Sequence, residues 1–391
     1  MRRVYFDNNA STPVLPEVLG AIRPYFREHF GNASSIHHNG QETRAAVERA
    51  RESVAALLGC RAPEMVFTSG GTEGDNLAIF GIISPGDHII TLTIEHHAVL
   101  NACKRLEVLG CGVTYVPVDG RGLVDPDDVR RALRPKTGLI TIMMANNETG
   151  VIQPVEEIGK VAAEADVYFH TDAVQAAGKV PIDVKRIGCD LLSISGHKIH
   201  APQGVGALYV RKGTLIQPML YGGRHERSRR AGTENVPGIV GLGKAAELAM
   251  EAFARGDLEA MAAMRHRIQN TILETVDAVG VNGDGAPRAP NTTNIYFDYI
   301  EGEAIVIALD LKGLAVSTGA ACSSGAIEPS HVLTAMGLQP DRARASIRFS
   351  LGKQNTPDEA EYALSLIPET VARLRELSPV YNKTAAFSLG A

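Results

Sequence analysis

The chain has 391 residues, of which 45% are hydrophobic and 21% charged, and its formal net charge at pH 7 is -5. Such a chain is long enough for two globular domains with a sizeable buried core. The mild negative charge and the lack of any Lys/Arg-rich run argue against a nucleic-acid-binding protein. The most apolar stretch, residues 139–145, is too short to span a membrane, and no signal-peptide apolar region follows Met1. We therefore expect a soluble, cytoplasmic protein without membrane association.

Between about residues 41 and 217 the sequence alternates between helix and strand patterns. Apolar residues recur at three- and four-residue spacing from Val47 to Leu57, and Gly59 then predicts the end of a helix. Strands separated by helices favour right-handed crossovers and a mostly parallel sheet that is covered on both faces. The predicted strands are residues 65–68, 139–145, 167–171 and 191–194, and the predicted helices begin near 73 and span 156–165.

A different pattern begins beyond Gly256. A helical stretch at 258–278, a Gly/Pro/Asn-rich segment at 280–294 and further alternating elements, such as 293–297 and 303–311, predict a smaller α+β domain. We expect a large α/β domain over residues 15–258 and a small domain formed by residues 1–14 plus 259–391. The tail after Pro379 has few large apolar side chains and is expected to be loose.

The five cysteines form no C-x-x-C pair and are odd in number, which argues against a disulfide framework or a zinc ribbon. No metal-ligand spacing occurs elsewhere, so no metal site is predicted. Cys322 lies among small residues from Ser317 to Gly325, a setting in which a reactive thiol can reach a partner. The remaining cysteines are expected to be small core residues: Cys60, Cys103, Cys111 and Cys189.

Lys198 ends the tripeptide that follows a strand at 190–195, and α/β folds place ligand-binding groups at such strand ends. Asp172 closes another strand, and Gln175 follows it one turn later. A lysine and an acid in these places suit pyridoxal phosphate, since the lysine can form a Schiff base and the acid can keep the pyridine nitrogen protonated. The residues alone leave two alternatives open, a solvated surface lysine and an Asp172 that only caps a turn.

A phosphate site is predicted at Ser69-Gly70-Gly71-Thr72-Glu73, between a strand and a helix. Its glycines allow close backbone approach, Thr72 offers a hydroxyl, and a helix N-terminus attracts an anion. An ordinary capped turn is the alternative. The G-x-G-x-x-A pattern at 241–246 follows no clear strand, so we expect close helix packing there and not a dinucleotide site.

Two further residues are candidates for contact with a ligand. His96, at a strand-to-helix junction, could stack on a flat cofactor or transfer protons near neutral pH. Arg348 lies on the polar face of an alternating stretch, 346–350, and could bind a carboxylate through two hydrogen bonds. A structural histidine and a surface arginine are the alternatives.

Taken together, these segments resemble the NifS/IscS cysteine desulfurases, and more closely the NifS branch. The resemblance runs from Tyr5 to about Pro379, and it departs from the usual serine at Gly74 and Ala320. It implies an aminotransferase-like fold type I, with a large, mostly parallel-sheet domain that binds pyridoxal phosphate and a small α+β domain that carries Cys322. The matching segments are residues 5–10, 31–35, 145–150, 170–175, 195–198, 229–235 and 328–332.

The resemblance also implies a reaction. L-cysteine is converted to L-alanine, and the sulfur is kept as a persulfide on Cys322 for iron–sulfur cluster assembly, either general or associated with nitrogenase. A scaffold protein would accept the sulfur, and in a homodimer Thr233 would reach the neighbour's site. The implied catalytic residues are Lys198, Cys322 and His96. The implied cofactor-binding residues are Gly71, Thr72, Asn147, Asp172, Gln175, Ser195, His197, Lys198 and Thr233, and the implied substrate-binding residues are Asn147 and Arg348.

Two other classes of function remain as alternatives. A selenocysteine lyase, or another lyase or aminotransferase of the same fold, would share the cofactor site, but an aminotransferase has no use for the thiol of Cys322. A sulfur carrier or assembly scaffold without a cofactor is the alternative outside enzymes. The joint presence of Lys198, Asp172 and Thr72 argues against it.

Overall fold

The fold is described from a computed structural model, for residues 2–319, 329–379 and 381. The strands are β1 (Val4–Tyr5), β2 (Met65–Thr68), β3 (His88–Leu92), β4 (Gly112–Val116), β5 (Thr137–Thr141), β6 (Tyr168–Asp172), β7 (Leu191–Ser195), β8 (Gly206–Val210), β9 (Val279–Val281), β10 (Thr292–Phe297), β11 (Leu314–Ala315) and β12 (Ser346–Ser350). The α-helices are α1 (Pro16–Ile22), α2 (His38–Leu58), α3 (Gly71–Ile82), α4 (His97–Val108), α5 (Pro126–Ala132), α6 (Val155–Ala165), α7 (Val184–Ile187), α8 (Val236–Arg255), α9 (Asp257–Thr275), α10 (Gly302–Leu311), α11 (His331–Ala335), α12 (Pro340–Arg344) and α13 (Pro357–Leu377). Short 3-10 helices occupy Arg23–Phe26, Ala62–Glu64, Gly196–Lys198 and His225–Ser228.

The central sheet is built from seven of the described strands in the order β2-β8-β7-β6-β5-β3-β4. Strand β8 runs antiparallel to both of its neighbours, and the other pairs are parallel. The predicted mostly parallel sheet is therefore confirmed. Because β2, β6 and β7 point the same way, their carboxyl ends meet at one edge, where ligands bind in open α/β sheets.

Helix α2 forms where the apolar spacing predicts one, and its buried face includes Val47 and Val54. It ends at Gly59, whose φ of 71° is the left-handed conformation that favours glycine at a helix C-terminus. Helix α8 packs on α2 so closely that a Cβ on Gly243 would lie 2.6 Å from Cα of Ala50. The predicted close helix packing at residues 241–246 is confirmed.

A second group of strands lies outside the central sheet. Strands β12, β10 and β9 form an antiparallel sheet, and β1 pairs in parallel with β11. Val4 and Phe6 are buried in the same apolar cluster as Phe297 and Phe349, so the N-terminal segment packs with elements near the other end of the chain. The division into residues 15–258 and residues 1–14 plus 259–391 stays a prediction.

The predicted strand over 139–145 is wrong in its length, because β5 ends at Thr141. The apolar residues that follow are buried, and the N–H groups of Ile142 and Met144 still donate to carbonyl oxygens of β6, those of His170 at 3.1 Å and Asp172 at 2.8 Å. The N–H of Met143, in contrast, donates to a side chain, at 2.8 Å to Oε1 of Glu95. The tail predicted to be loose lies outside the described residues, apart from Tyr381. Among the helices described, none is long and apolar enough to cross a membrane.

Candidate active site at the carboxyl edge of the central sheet

Lys198 lies in the 3-10 turn that follows β7 at this edge of the sheet. Its Nζ donates hydrogen bonds to the carbonyl oxygens of Asn9 at 2.5 Å and Ala10 at 2.9 Å. The side chain is half-buried, and burial, followed by the positive charge of Arg348, lowers its pKa to about 8. A substantial fraction of the amine is then neutral near physiological pH, as a nucleophile or base requires. The solvated surface lysine of the alternative reading does not fit this environment.

Asp172 is the last residue of β6, the strand beside β7, and its side chain is buried. Its Oδ1 accepts a hydrogen bond from the N–H of Val174 at 2.8 Å, so the residue does orient the following turn. Burial raises the pKa of Asp172 to about 6, and the charge of Lys198 opposes that rise. A buried acid near a lysine with a lowered pKa is typical of a catalytic site.

Gln175 is held at both ends of its amide. Its Nε2 donates to the carbonyl of Asn9 at 3.0 Å, and its Oε1 accepts from Nζ of Lys179 at 2.9 Å. The carbonyl of Asn9 thus accepts from both Gln175 and Lys198, and it connects the two residues. Asn9 is buried, with 2% of its surface exposed.

The predicted phosphate turn leads from β2 into α3, which begins at Gly71. No side chain caps this helix at Gly70, so the first backbone N–H groups are free of a cap and can face an anion. A Cβ on Gly71 would lie 2.6 Å from Cγ2 of Val174, which leaves no room for a side chain there. The same Cβ would lie 3.5 Å from Cβ of Ser195, which is buried. Thr72 is exposed to solvent. His197, half-buried in the turn after Ser195, contacts Oγ of Ser11 through Nδ1 at 3.2 Å.

His96 lies at the start of α4, where its Nδ1 accepts a hydrogen bond from the N–H of Ala98 at 3.1 Å. The neutral ring then carries its proton on Nε2. Part of the side chain is solvent-exposed, yet the protein around it, and then the charge of Lys198, lower the pKa of His96 to about 4. His96 is therefore a neutral imidazole at physiological pH, on the same side of the sheet as Lys198.

Arg348 is buried, so the surface arginine of the alternative reading is excluded, and the polar face predicted for β12 is not exposed to solvent. One nitrogen of its guanidinium donates to the carbonyl of Asn147 at 2.8 Å, and another pairs with Oδ1 of Asp7 at 2.7 Å. Its Nε is buried without a hydrogen-bond partner among the described residues. Asn147 also accepts from Nδ2 of Asn9 through its carbonyl at 3.2 Å.

A row of buried polar groups lies on the strands next to Asp172. His170 contacts Oγ1 of Thr141 at 2.7 Å through Nδ1 and Oγ of Ser193 at 2.9 Å through Nε2. Oδ1 of Asp75, on α3, is 3.7 Å from Nε2 of His170 and has no hydrogen-bond partner among the described residues. Burial lowers the pKa of His170 to about 3 and, with the charge of Asp172, raises that of Asp75.

Thr233 is exposed, in a segment that is attached to the phosphate turn. Arg230 pairs with Glu73 at 2.8 Å, and the side chain of Glu73 also accepts from the N–H of Ser69 at 2.7 Å. Glu226, which comes earlier in the segment, forms two hydrogen bonds of 2.7 and 2.8 Å with Arg51 on α2. The described protomer thus leaves the Thr233 hydroxyl at its surface.

Cys322 lies outside the described residues. Gly319, the last described residue before it, and Ser330, the second described residue after it, both lie against Glu148. A Cβ on Gly319 would be 3.4 Å from Cγ of Glu148, and Oγ of Ser330 donates to Oε2 of Glu148 at 2.5 Å. Glu148 follows Asn147 directly in the chain. Cys103, Cys111 and Cys189 are buried, as predicted, whereas Cys60 is only half-buried and packs against the core from its margin.

The sequence patterns did not identify Asn9, Lys179 and Asp7 as site residues. Asn9 and Asp7 are part of a segment used for the family resemblance, but no local pattern places them beside residues more than 130 positions away in the chain. Lys179 follows a glycine and resembles any surface lysine in sequence. An alignment of related sequences is the signal that could have marked these positions.

These side chains suit pyridoxal phosphate. An amine, a buried carboxylate, an oriented amide and an uncapped helix start lie along one edge of the sheet, and they match an aldehyde, a pyridinium nitrogen, a ring hydroxyl and a phosphate. In the described part of the chain, no group of three His, Cys, Asp or Glu side chains is arranged to hold a metal ion.

Comparison with known proteins gives the same family as the sequence motifs. The chain is 50% identical to a cysteine desulfurase IscS of Dictyoglomus turgidum over 382 residues, which are 97% of each protein. A solved structure of a NifS-like protein superposes with a TM-score of 0.88 at 38% identity, over 95% of this chain and 100% of that one. A structure of SspA in complex with cysteine gives a TM-score of 0.80 at 38% identity, over 91% of this chain and 100% of that one.

The resemblance to the NifS/IscS cysteine desulfurases and the aminotransferase-like fold are thus confirmed. The model of the family described as aminotransferase class-V matches residues 4–362, and the chain belongs to that family.

Proposed function

We propose that this protein is a cysteine desulfurase that uses pyridoxal phosphate to convert L-cysteine to L-alanine and retains the sulfur as a persulfide on Cys322. The observation that carries the proposal is that Lys198 and Asp172 lie at one edge of the central sheet, near Arg348 of β12, in a chain whose relatives are named cysteine desulfurases. A cofactor-free sulfur carrier would have no need of a half-buried lysine beside a buried acid.

Each part of the cofactor has a partner in the proposal. Lys198 would hold the aldehyde carbon, Asp172 the ring nitrogen and Gln175 the ring hydroxyl, and His96 would contact the ring. The phosphate would be held by the start of α3 and by nearby side chains, with one contribution from a second subunit: Gly71, Thr72, Ser195, His197 and Thr233. When bound, pyridoxal phosphate supplies a ring that accepts the electron pair released at the substrate Cα.

Arg348 and Asn147 orient the substrate. The unpartnered Nε–H of Arg348 and the N–H groups of Nη2 can donate to the carboxylate of L-cysteine, which competes with Asp7 for Nη2. Lys198, with its pKa near 8, can then take a proton from Cα as a neutral amine and return it as an ammonium. The neutral Nε2–H tautomer of His96 keeps this histidine from adding charge beside the lysine.

The sulfur step needs a thiolate. In the proposal the Cys322 thiolate attacks the substrate sulfur, the new S–S bond forms as the Cβ–S bond breaks, and the carbon takes up a proton to become the methyl group of alanine. The two sulfur atoms are oxidised to a persulfide, and the carbon is reduced, so no external oxidant is needed. Gly319 and Ser330, which precede and follow Cys322 in the chain, both contact Glu148, next to Asn147, and these contacts support the choice of Cys322.

A homodimer in the cytoplasm, with an iron–sulfur scaffold protein as sulfur acceptor, completes the proposal. Large apolar side chains in two segments of the protomer are exposed, including Phe30 at 70%, Ile36 at 94% and Tyr221 at 84%. Contiguous exposed apolar side chains are typical of a surface that another chain covers. Ala231, two residues before Thr233, donates its N–H to the carbonyl of Leu220 at 3.4 Å, so a neighbour that covers the second segment can also reach the exposed Thr233.

The test is the ratio of alanine released to sulfur transferred. Protein loaded with pyridoxal phosphate and given L-cysteine should release one alanine for each sulfur atom transferred to a thiol reductant, and a persulfide should map to Cys322. Release of pyruvate in place of alanine would identify a different lyase. A much higher kcat/KM for selenocysteine than for cysteine would favour the selenocysteine lyase.

A further inference from the structure

Lys179 is a buried lysine that the proposed reaction does not use. It is 8% exposed, and no carboxylate pairs with it among the described residues. Burial, followed by the positive charges of Lys198 and Arg348, lowers the pKa of Lys179 to about 7. An ammonium that leaves water without an anionic partner destabilises a fold, so its contacts in the site have to offset that cost.

Those contacts are the oxygen atoms of two side-chain amides. Nζ of Lys179 is 2.9 Å from Oε1 of Gln175 and 3.4 Å from Oδ1 of Asn9. Below its pKa of about 7 Lys179 is an ammonium, which can only donate hydrogen bonds, whereas an amide has a donor end and an acceptor end. If either amide turned over, its NH2 group would face the ammonium, donor against donor. Lys179 therefore fixes which end of the Gln175 amide points into the site. For the Asn9 amide it acts together with Nδ2 of Asn291, which donates to the same Oδ1 at 3.0 Å.

On the cofactor side of the site, Lys179 fixes the orientation of the Gln175 amide. With Oε1 bound to Lys179, its Nε2 carries both N–H groups away from the lysine, and one of them donates to the carbonyl of Asn9 at 3.0 Å. That carbonyl also accepts from the reactive amine of Lys198 at 2.5 Å. The second N–H of Gln175 remains for the ring hydroxyl of the cofactor.

The Asn9 amide is fixed on the substrate side. With Oδ1 toward Lys179, its Nδ2 donates to the carbonyl of Asn147 at 3.2 Å and to Oγ1 of Thr292 at 2.9 Å. The carbonyl of Asn147 accepts from Arg348 as well. Through two amides, one ammonium is thus connected to the cofactor side and to the substrate side of the site.

We propose, on the basis of the function proposed above, that Lys179 is a positioning residue for the cofactor: it holds the Gln175 amide so that its free N–H meets the 3-hydroxyl of pyridoxal phosphate. The neighbouring ammonium also polarises the amide and strengthens that N–H as a donor. Lys179 touches neither cofactor nor substrate, and it acts through Gln175 and Asn9.

The experiment compares two ligands on the apoprotein by absorbance titration, which measures affinity without turnover. Lys179→Met should weaken binding of pyridoxal phosphate by roughly tenfold, the effect of losing one oriented hydrogen bond. Binding of 3-deoxypyridoxal phosphate, which lacks the hydroxyl, should be unchanged. Gln175→Leu should show the same selective loss, and the double variant should lose no more than either single variant. Lys160→Met, at an exposed position on α6, is the matched control and should bind both ligands normally.

Equal loss for both ligands in Lys179→Met, or no loss for either, overturns the inference, as do additive effects in the double variant. Lys179→Leu, which also lacks a donor, is measured beside it under the same criterion, so that a methionine variant that fails to fold does not leave the question open. A wild-type apoprotein that binds no pyridoxal phosphate would instead overturn the proposed function itself.

Discussion

Nη2 of Arg348 on β12 lies 2.7 Å from Oδ1 of Asp7, and this ion pair joins the small antiparallel sheet to the N-terminal segment. The pair is largely buried, with 5% of the arginine side chain and 21% of the aspartate side chain exposed. Removing one partner of such a pair leaves the other charge without compensation. The same guanidinium is proposed to bind the substrate, so Asp7 both orients the guanidinium and competes with the substrate carboxylate for it.

Arg348→Ala should reduce kcat/KM for L-cysteine strongly while the visible absorption of the loaded protein changes little. Loss of one buried charge-assisted contact costs about 2–5 kcal/mol, by analogy with truncated charge pairs in interfaces. Steady-state kinetics and absorption spectra measure the two effects. Arg344→Ala, on α12 with its partner Asp341, is the control and should retain full activity. An unchanged kcat/KM in Arg348→Ala would show that another group binds the carboxylate.

Lys198 should be the residue that binds the cofactor covalently. Borohydride reduction of the loaded protein and peptide mapping should place pyridoxal phosphate on Lys198, and Lys198→Ala should lose turnover. Because the neutral amine is the nucleophile, the rate of loading of the apoprotein should rise with pH around the pKa of about 8. Stopped-flow absorbance measures that rate. Cofactor found on Lys179, whose pKa is about 7, would show that Lys198 is not the reactive lysine.

Cys322 should be the first thiol to react with iodoacetamide at pH 7.5. Burial raises the pKa values of Cys60 and Cys103 to about 12 and raises that of Cys189 further, so these thiols are protonated as well as shielded. Mass spectrometry of briefly labelled protein measures the order of reaction.

The same peptide should gain one sulfur atom after brief treatment with L-cysteine, and a reductant should remove it. Cys322→Ala should still bind cofactor and show a spectral change with L-cysteine, but it should not produce alanine at a useful rate. Cys103→Ala is the control and should behave like the unmutated protein. Sulfur mapped to Cys60 or to another of the buried cysteines would refute the assignment.

Thr233 should act in the neighbour's site. Thr233→Ala should weaken pyridoxal phosphate binding by roughly tenfold, as expected for one lost hydrogen bond to a charged group. Hybrid dimers of Thr233→Ala with Lys198→Ala should contain one intact site, because the Lys198→Ala subunit donates a normal Thr233 to the partner's Lys198. Titration of co-expressed, differently tagged hybrids measures this recovery. Hybrids without recovered affinity would place Thr233 in its own subunit's site, and light scattering checks that the protein is dimeric.

His170 should contribute to the loss of stability in mild acid. Its pKa is about 3 in the folded protein and near 6.5 when unfolded, so the unfolded chain binds the extra proton between these values. Its contribution to stability is complete above pH 6.5 and is lost as pH falls toward 3, by up to about 1.4 kcal/mol per pH unit. The raised pKa values of Asp75 and Glu95 act in the opposite direction.

The measurement is therefore a difference between variants. Urea unfolding at pH 7, 6 and 5 should give a shallower pH dependence for His170→Gln than for the unmutated protein. His38→Gln, at an exposed position, serves as the control and should leave the slope unchanged. Parallel slopes for all three proteins would mean that His170 is not buried as a neutral imidazole.

The sequence predicted the elements more reliably than the contacts between distant residues. Helix α2 and its end at Gly59 follow from local spacing and backbone preference, and so do the places of Asp172 and Lys198 at strand ends. The length predicted for β5 was wrong because an apolar run indicates burial, and burial continues beyond Thr141 where the backbone bonds to side chains.

The remaining site residues depend on contacts that no local pattern contains. The alternating pattern predicted Arg348 on a polar face, but that face packs against Asp7 and Asn147 and is buried. Lys179 has the sequence context of a surface residue, and only the fold brings Asn9 to it from 170 positions earlier in the chain. The roles assigned to these residues and to Cys322 stay predictions.

The N-terminal segment also pairs with β12 through its backbone, in a single parallel β-bridge between Asp7 and Ser350, and this pairing has a consequence for biosynthesis. The backbone N–H of Asn9 donates to Oγ of Ser350 at 3.0 Å, so a site residue made among the first depends on a strand made among the last. A nascent chain that has formed the central sheet still lacks a burial place for Val4 and Phe6, which are 2% and 0% exposed in the finished fold. These apolar residues remain exposed to solvent until β11 and the strands and helices around it have been synthesised, and late pairing of this kind is slow and exposes the chain to aggregation. Premature termination before residue 346 would therefore yield a sheet without a functional site.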